Sequence, residues 1–152
     1  MKIITKNKRA YFDYDIKETI DAGIVLKWYE VKSIKSGKVN ITDAIVKIRN
    51  WEAFITNMDI PLYEKTNPAL VPGYKPKGER KLLLTKKQIQ RLAERTHKTW
   101  LVLKPLEVFI TKNWKIKIKL GLAKLKKKIE KRQIIKERDM KRQMMREMKE
   151  MY

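Results

Sequence analysis

The stretch Lys124–Tyr152, KLKKKIEKRQIIKERDMKRQMMREMKEMY, constrains the rest of the chain because it has almost nothing to give a core. It carries 12 Lys or Arg against 5 Asp or Glu, with no Pro, no Gly and no aromatic ring before Tyr152. Most of its residue types favour helix. Its apolar residues are Leu125, Ile129, Ile134 and Ile135, then Met140, Met144, Met145, Met148 and Met151. That is too little apolar surface to offset the entropy of ordering the segment against a protein surface. The expectation is a basic arm, disordered when free and helical when a polyanion supplies the missing energy. A folded unit must then be found within residues 1–123, with 124–152 as its appended tail.

The charge is not confined to the arm. The whole chain has a formal charge of +21, and subtracting the arm's +7 leaves +14 on residues 1–123. Positive excess on both parts points to a polyanionic partner, nucleic acid or an anionic membrane. With no cysteine, neither disulfides nor a cysteine-rich zinc site can stabilise the fold. The N-terminal MKIITKNKRAYF lacks a continuous apolar run, and no stretch approaches a membrane span. A cytoplasmic protein is expected.

Period-two patterning dominates the body. After a basic lead Lys2–Arg9, Ala10–Thr19 (AYFDYDIKET) alternates and predicts a half-buried strand. Asp21-Ala22-Gly23 offers a turn before a second strand at Ile24-Val25-Leu26. Val31 and Ile34, followed by Gly37, predict a short helix in Glu30–Lys38. Two strand-like runs, Ala44–Arg49 and Glu52–Asp59, flank Asn50-Trp51. Four prolines and two glycines make Pro61–Glu79 a long loop. Leu82, Leu83 and Leu84 lead into a helical stripe with Ile89 and Leu92, Thr85 serving as N-cap. Trp100–Thr111 and Lys115–Leu122 read as strands joined at Asn113-Trp114. The last one, KIKIKLGL, puts Ile116, Ile118 and Leu120 on one face and Lys115, Lys117 and Lys119 on the other, ammonium groups ~7 Å apart. The fold class is mainly β: six short antiparallel strands in a closed or partly closed barrel, with two or three short helices.

Catalytic patterns are missing. The single histidine, His97, has no cysteine or second histidine to work with, and no GxxxxGK[ST], GxGxxG, GxSxG or HExxH spacing occurs. Asp13 and Asp15 are better explained as balancing a basic surface. The chain is read as a non-enzyme without cofactor or metal. Lysine and arginine would neutralise RNA phosphates and release counterions, and aromatic rings could stack unpaired bases. The blander explanation, lysines protecting strand edges, suits one strand but not a chain basic throughout.

Several stretches then fall into a known order. NKRAYFDYDIKETIDAGIVL, EVKSIKSGKVNITDA, RKLLLTKKQI, KIKIKLGLAKLKKK and EKRQIIKERD resemble, from about Asn7 to Arg142, the small protein B (SsrA-binding protein) family of bacterial trans-translation. The resemblance implies an OB-like barrel of six antiparallel strands with three helices. It implies binding to the tRNA-like domain of tmRNA and help in delivering alanyl-tmRNA, with elongation factor Tu, to stalled ribosomes. The tail would enter the small-subunit decoding centre and empty mRNA channel as a helix, and the protein would act as a monomer. By resemblance, Asn7, Lys8, Arg9, Glu30, Lys32, Ser33, Arg80, Lys81, Lys117 and Lys119 serve or shape the RNA-binding surface, continued by Lys124, Lys126 and Lys127. Glu130, Lys131, Arg132, Ile134, Lys136, Glu137, Arg138 and Asp139 match the segment that works inside the ribosome. There are departures: Ile129 stands where some members carry a histidine proposed to stack on ribosomal RNA, Leu125 replaces a usual glycine, and Gly78 and Glu79 replace part of a basic run before RKLLL.

Trp28, Trp51, Trp100 and Trp114 all fall where that family commonly has glycine or another small residue. Asn50-Trp51 and Asn113-Trp114 occupy hairpin positions that favour Asn-Gly, because the second residue needs φ > 0. The rings are either base-stacking platforms or glycine codons written as tryptophan, in a cell that reads UGA as glycine. The second reading is favoured, and none of the four is assigned an RNA role.

Two other functions stay open on sequence grounds. A generic OB-type RNA-binding or ribosome-associated structural protein would bind many RNAs equally. A membrane-anchoring tail would use Met140, Met144, Met148 and Met151, but it lacks interfacial Trp or Phe and its other face mixes charges.

Overall fold

The computed structural model describes residues 1–98 and 100–151, the side chains of residues 98, 128–130 and 151 lying outside the described set. Its centre is one antiparallel sheet of seven strands in the order β1-β6-β7-β2-β5-β4-β3. The strands are β1 (Lys2–Lys6), β2 (Tyr14–Ile24), β3 (Ile45–Arg49), β4 (Glu52–Thr56), β5 (Arg80–Leu83), β6 (Val102–Ile110) and β7 (Ile116–Leu125). Four α-helices accompany them: α1 (Lys8–Asp13), α2 (Trp28–Lys35), α3 (Lys86–Lys98) and α4 (Lys128–Met151). The hydrogen-bonded ladder ends at β1 and β3 and does not close.

The expectation of six strands is corrected to seven, for reasons that lie in tertiary contacts. The run Ala10–Thr19 divides. Asn7 Oδ1 accepts the Ala10 N–H at 3.0 Å and caps α1, so residues 8–13 wind into a helix. Tyr11, Phe12 and Asp13 are all half-buried, without the in-out alternation of a strand. The turn placed at Asp21-Ala22-Gly23 does not form, because β2 continues through it as a single strand. It pairs with β7 from Tyr14↔Leu125 to Gly23↔Lys117, and with β5 at Gly23↔Leu83. Leu82 and Leu83, expected to lead into the helix and to lie in no strand, belong to β5, and the helix begins after Thr85 as its cap implies. The basic lead hides β1, an edge strand on β6.

Other expectations match. The Thr85 hydroxyl accepts the Gln88 N–H at 3.2 Å while Gln88 Oε1 accepts the Thr85 N–H at 2.9 Å, a reciprocal cap that starts α3. Gly37 ends α2 at φ +86°, a left-handed conformation suited to glycine. The segment Pro61–Glu79 is a loop with one 3-10 turn at Pro68–Leu70.

Alternation in β7 works as its sequence implies. Ile116, Ile118 and Leu120 face a core shared with Ile34, Ile41, Ile55, Met58, Ile60, Leu82 and Val108. At Gly121 a Cβ would come within 2.7 Å of Leu106 Cδ1, so any larger residue there would require the Leu106 side chain to shift. Burying about 25 cal/mol per Å² of apolar surface makes this sheet-centred core the main source of stability. β7 runs to Leu125, two residues past the boundary expected for the body, and α4 follows from Lys128.

Candidate nucleic-acid interface

The residues expected to meet RNA fall into three structural groups. Asn7, Glu30, Ser33 and Arg80 form the first, and all four are buried. Besides capping α1, the Asn7 amide donates to the carbonyls of Ile41 (3.3 Å) and Pro105 (3.0 Å), tying α1 to β6 and to the segment before β3. Ser33 Oγ donates to the Lys38 carbonyl at 3.3 Å behind the end of α2.

Glu30 and Arg80 form a buried ion pair between α2 and β5. The Arg80 guanidinium also donates to the carbonyls of Met58 (2.7 Å), Gly78 (3.2 Å) and Pro76 (2.9 Å), and to the Tyr74 hydroxyl (3.2 Å). Glu30 in turn accepts the Lys27 N–H at 2.9 Å. This knot fixes the loop Pro61–Glu79 to α2 and to the start of β5. Burial pushes the Tyr74 hydroxyl above its ordinary pKa, with the Glu30 charge adding to the effect. These four side chains spend their polar atoms inside the fold, so they can shape an RNA surface but do not present one.

Lys81 and Lys117 form the second group. With Gly23, Asp21, Trp51 and Glu52 they line one shallow concavity across β5, β2 and β7. Lys81 lies 3.2 Å from Glu52. Lys117 is half-exposed, makes no ion pair among the described residues, and has Gly23 and Phe109 as strand partners. The even lysine row expected from KIKIKLGL is therefore uneven. Two positions on, Lys119 pairs in register with Asp21 and Glu107, and its ammonium lies 3.8 Å from Glu107 Oε2. Much of its charge is already answered within the protein, whereas that of Lys117 is turned outward.

The third group surrounds α1 and the root of α4. Lys8 and Arg9 are exposed, Arg9 lying 3.6 Å from Asp13 and 4.0 Å from Asp43. Lys126 donates to the Tyr11 carbonyl at 3.2 Å, and Lys131 lies 3.0 Å from Asp13. Arg138 stands over the Phe12 ring at 5.5 Å. The Tyr11 hydroxyl donates to Glu107 at 3.2 Å, and burial first, then the Glu107 charge, pushes its pKa up to about 12. Lys124 and Lys127 are exposed where β7 gives way to α4. Lys32 stands apart on α2, over the Tyr63 ring at 5.7 Å.

Along α4, Arg132, Lys136, Glu137, Arg138 and Asp139 are exposed and Ile134 is half-buried. The Glu130 side chain, like that of Ile129, lies outside the described residues. Sequence reasoning missed Tyr74, Tyr11, Glu107 and the Phe12–Arg138 stack. Tyr74 and Glu30 are 44 positions apart in the chain, Tyr11 and Glu107 96, and Phe12 and Arg138 126, so no local spacing could signal them. His97 is exposed on α3. No helix among the described residues is long and apolar enough to cross a membrane.

Known proteins are similar to this chain in sequence and architecture. The SmpB protein family model matches residues 4–150. An SsrA-binding protein of Persephonella marina is 49% identical over 144 residues, covering 95% of this chain and 92% of the relative. Those of Coprothermobacter proteolyticus and Thermosynechococcus vestitus are 44% and 43% identical, over the whole of both chains and over 99% and 97% of them, respectively. Among solved structures, a chain described as "tmRNA-SmpB: a journey to the center of the bacterial ribosome" superposes with a TM-score of 0.66 at 38% identity, covering 82% of this chain and 85% of that one.

Proposed function

The chain belongs to the SmpB protein family, and on that premise we propose that it is a tmRNA-binding factor of ribosome rescue. The observation that carries this is the match, at 38% identity and a TM-score of 0.66, to a chain solved in a tmRNA–ribosome setting. The chemistry agrees. A body with a +14 excess and a tail with +7 can neutralise phosphates at two separate places on an RNA–ribosome assembly.

In this reading residues 1–123 act as an OB-like RNA-binding unit and 124–152 as the ribosome-engaging tail. The curled sheet presents Lys81 and Lys117 to the tRNA-like domain of tmRNA, with Lys8, Arg9, Lys124, Lys126 and Lys127 extending the contact past α1. Asn7, Glu30, Ser33 and Arg80 hold that surface in shape from behind. The protein works in the cytoplasm as a monomer, and alanyl-tmRNA is delivered together with elongation factor Tu. Lys131, Arg132, Lys136 and Arg138 then face ribosomal RNA in the decoding centre and mRNA channel. The α4 helix is stabilised mainly by that environment, since its exposed methionines and charges gain little from the body. In the free protein it frays toward disorder beyond its root.

The test is a binding comparison at fixed salt between the tRNA-like domain of tmRNA and unrelated structured RNAs of equal length. A preference for the tmRNA domain of at least about tenfold, or ~1.4 kcal/mol, is expected. Equal affinities would return the chain to the class of generic RNA-binding proteins.

A further inference from the structure

Five described residues other than glycine have left-handed backbone: Asn50 (φ 48°), Trp51 (φ 64°), Asn57 (φ 59°), Trp100 (φ 58°) and Trp114 (φ 63°). Asparagine tolerates this region, but a bulky ring does not, because its Cβ crowds the following carbonyl. Three of the chain's four tryptophans therefore stand in a conformation they should avoid.

The turns themselves specify what belongs there. Arg49 pairs with Glu52, which leaves Asn50-Trp51 as a two-residue hairpin loop with φ > 0 at both positions. That is the type I′ geometry, whose second position is normally glycine. At the other hairpin, Trp114 donates its N–H to the Thr111 carbonyl at 3.0 Å, and Thr111 donates to Lys115 at 2.9 Å. Three residues thus close the loop, with the last one left-handed, again a glycine position.

Little compensates the strain: the Lys35 ammonium stands over the Trp114 ring at 5.9 Å, and the rings are otherwise turned to solvent. Trp28, Trp51, Trp100 and Trp114 are 59%, 63%, 93% and 74% exposed. By contrast, every described Phe and Tyr is buried or half-buried. Tryptophan is among the more buried residue types on average, so a chain that exposes all of its tryptophans while covering its other rings is anomalous. The same chain has five glycines in 152 residues, about half the usual share of ~7%.

We infer that the cell that makes this protein places glycine at positions 28, 51, 100 and 114, reading as glycine the codon written here as tryptophan. Trp28 has no left-handed backbone and enters through its exposure and residue type alone, which makes it the sharpest single check. The consequence for the surface is concrete. Trp51 lines the concavity of Lys81 and Lys117, and Trp114 lines its neighbour with Lys115 and Lys117. With glycine at both, the lysines are flanked by bare backbone turns that a phosphate chain can approach, and not by stacking platforms. This surface consequence rests on the RNA-binding reading above, whereas the glycine assignment does not.

The deciding experiment is peptide sequencing by mass spectrometry of the protein isolated from its source cells. Glycine at all four positions, with no indole fluorescence from the intact protein, is the expected result. Tryptophan at any one of them overturns the assignment. A second arm compares the chain as written with the fourfold Trp→Gly variant for binding to the tRNA-like domain of tmRNA. The variant is expected to bind at least as tightly. A loss of about tenfold or more, the size of one forfeited base stack, would overturn the bare-turn reading of the basic face.

Discussion

The sheet and the tail helix of this protein are both rich in lysine, yet they hold their shape by opposite means. In the body, charged side chains rest on a core in which Ile118, Leu120 and Val108 are fully buried, and one ion pair, Glu30–Arg80, is itself inside. In α4, every described side chain beyond Ile134 is exposed, so the helix rests on its own backbone bonds and on a few contacts at its root. The 24 residues of α4 span ~36 Å, far longer than its anchorage to Phe12 and Asp13. The lesson is that the same residue types can be a coating on a packed sheet or the whole substance of an exposed helix. What separates them is whether apolar residues recur with a period that some partner can cover.

The largest expected effect cuts the two regions apart. Deleting residues 129–152 should abolish tagging of stalled chains while leaving binding of the tRNA-like domain unchanged in a gel-shift titration. Equal loss of both activities would merge the two regions into one functional unit. Next in size, Glu30→Ala leaves the Arg80 guanidinium buried and unpaired. The expected cost is ~3–5 kcal/mol in urea unfolding, with a parallel loss of RNA binding as the Pro61–Glu79 loop comes free.

A matched pair of truncations tests the packing contrast directly. Ile118→Ala should destabilise by ~2–5 kcal/mol, and Met148→Ala by no more than ~0.5 kcal/mol, both read from urea midpoints. A comparable cost at Met148 would mean that the tail is packed on something. Within the body, Lys117→Ala should lower RNA affinity by a larger factor than Lys119→Ala and reduce the salt slope by ~1. The reason is that Glu107 already answers Lys119. The smallest effect belongs to the tail root. Asp13→Asn removes a partly exposed partner of Lys131 and should change stability by less than ~1 kcal/mol, while speeding amide exchange in the first turns of α4.

How much of this was legible in the chain depends on how local the cause is. KIKIKLGL specifies its strand because alternation alone decides which side chains face inward, and Thr85 with Gln88 specifies the start of α3 within four residues. Asn50-Trp51 marks a hairpin even with the wrong second residue, because the flanking runs and the asparagine suffice. The Ala10–Thr19 run misleads because its period of two is shared by a short capped helix and the strand after it. What divides them is the side chain of Asn7, anchored to Ile41 and Pro105 from far along the chain. Leu82 and Leu83 hide a strand for a similar reason, since a short leucine run beside a helix start shows no period of its own until β4 and β2 pair with it.

The site separates along the same line. From residue types and order alone come the basic body, the basic tail and the family to which they belong. The sequence also determines that Lys117 faces away from the core and that glycine suits positions 51 and 114. Only the tertiary structure decides that Asn7, Glu30, Ser33 and Arg80 work from inside the fold, and that Lys119 is answered by Glu107 while Lys117 is not. It alone brings Lys131 and Arg138 back against α1. The physical reason is range: alternation, capping and turn chemistry act over a few residues, whereas burial and ion pairing depend on which distant strands meet.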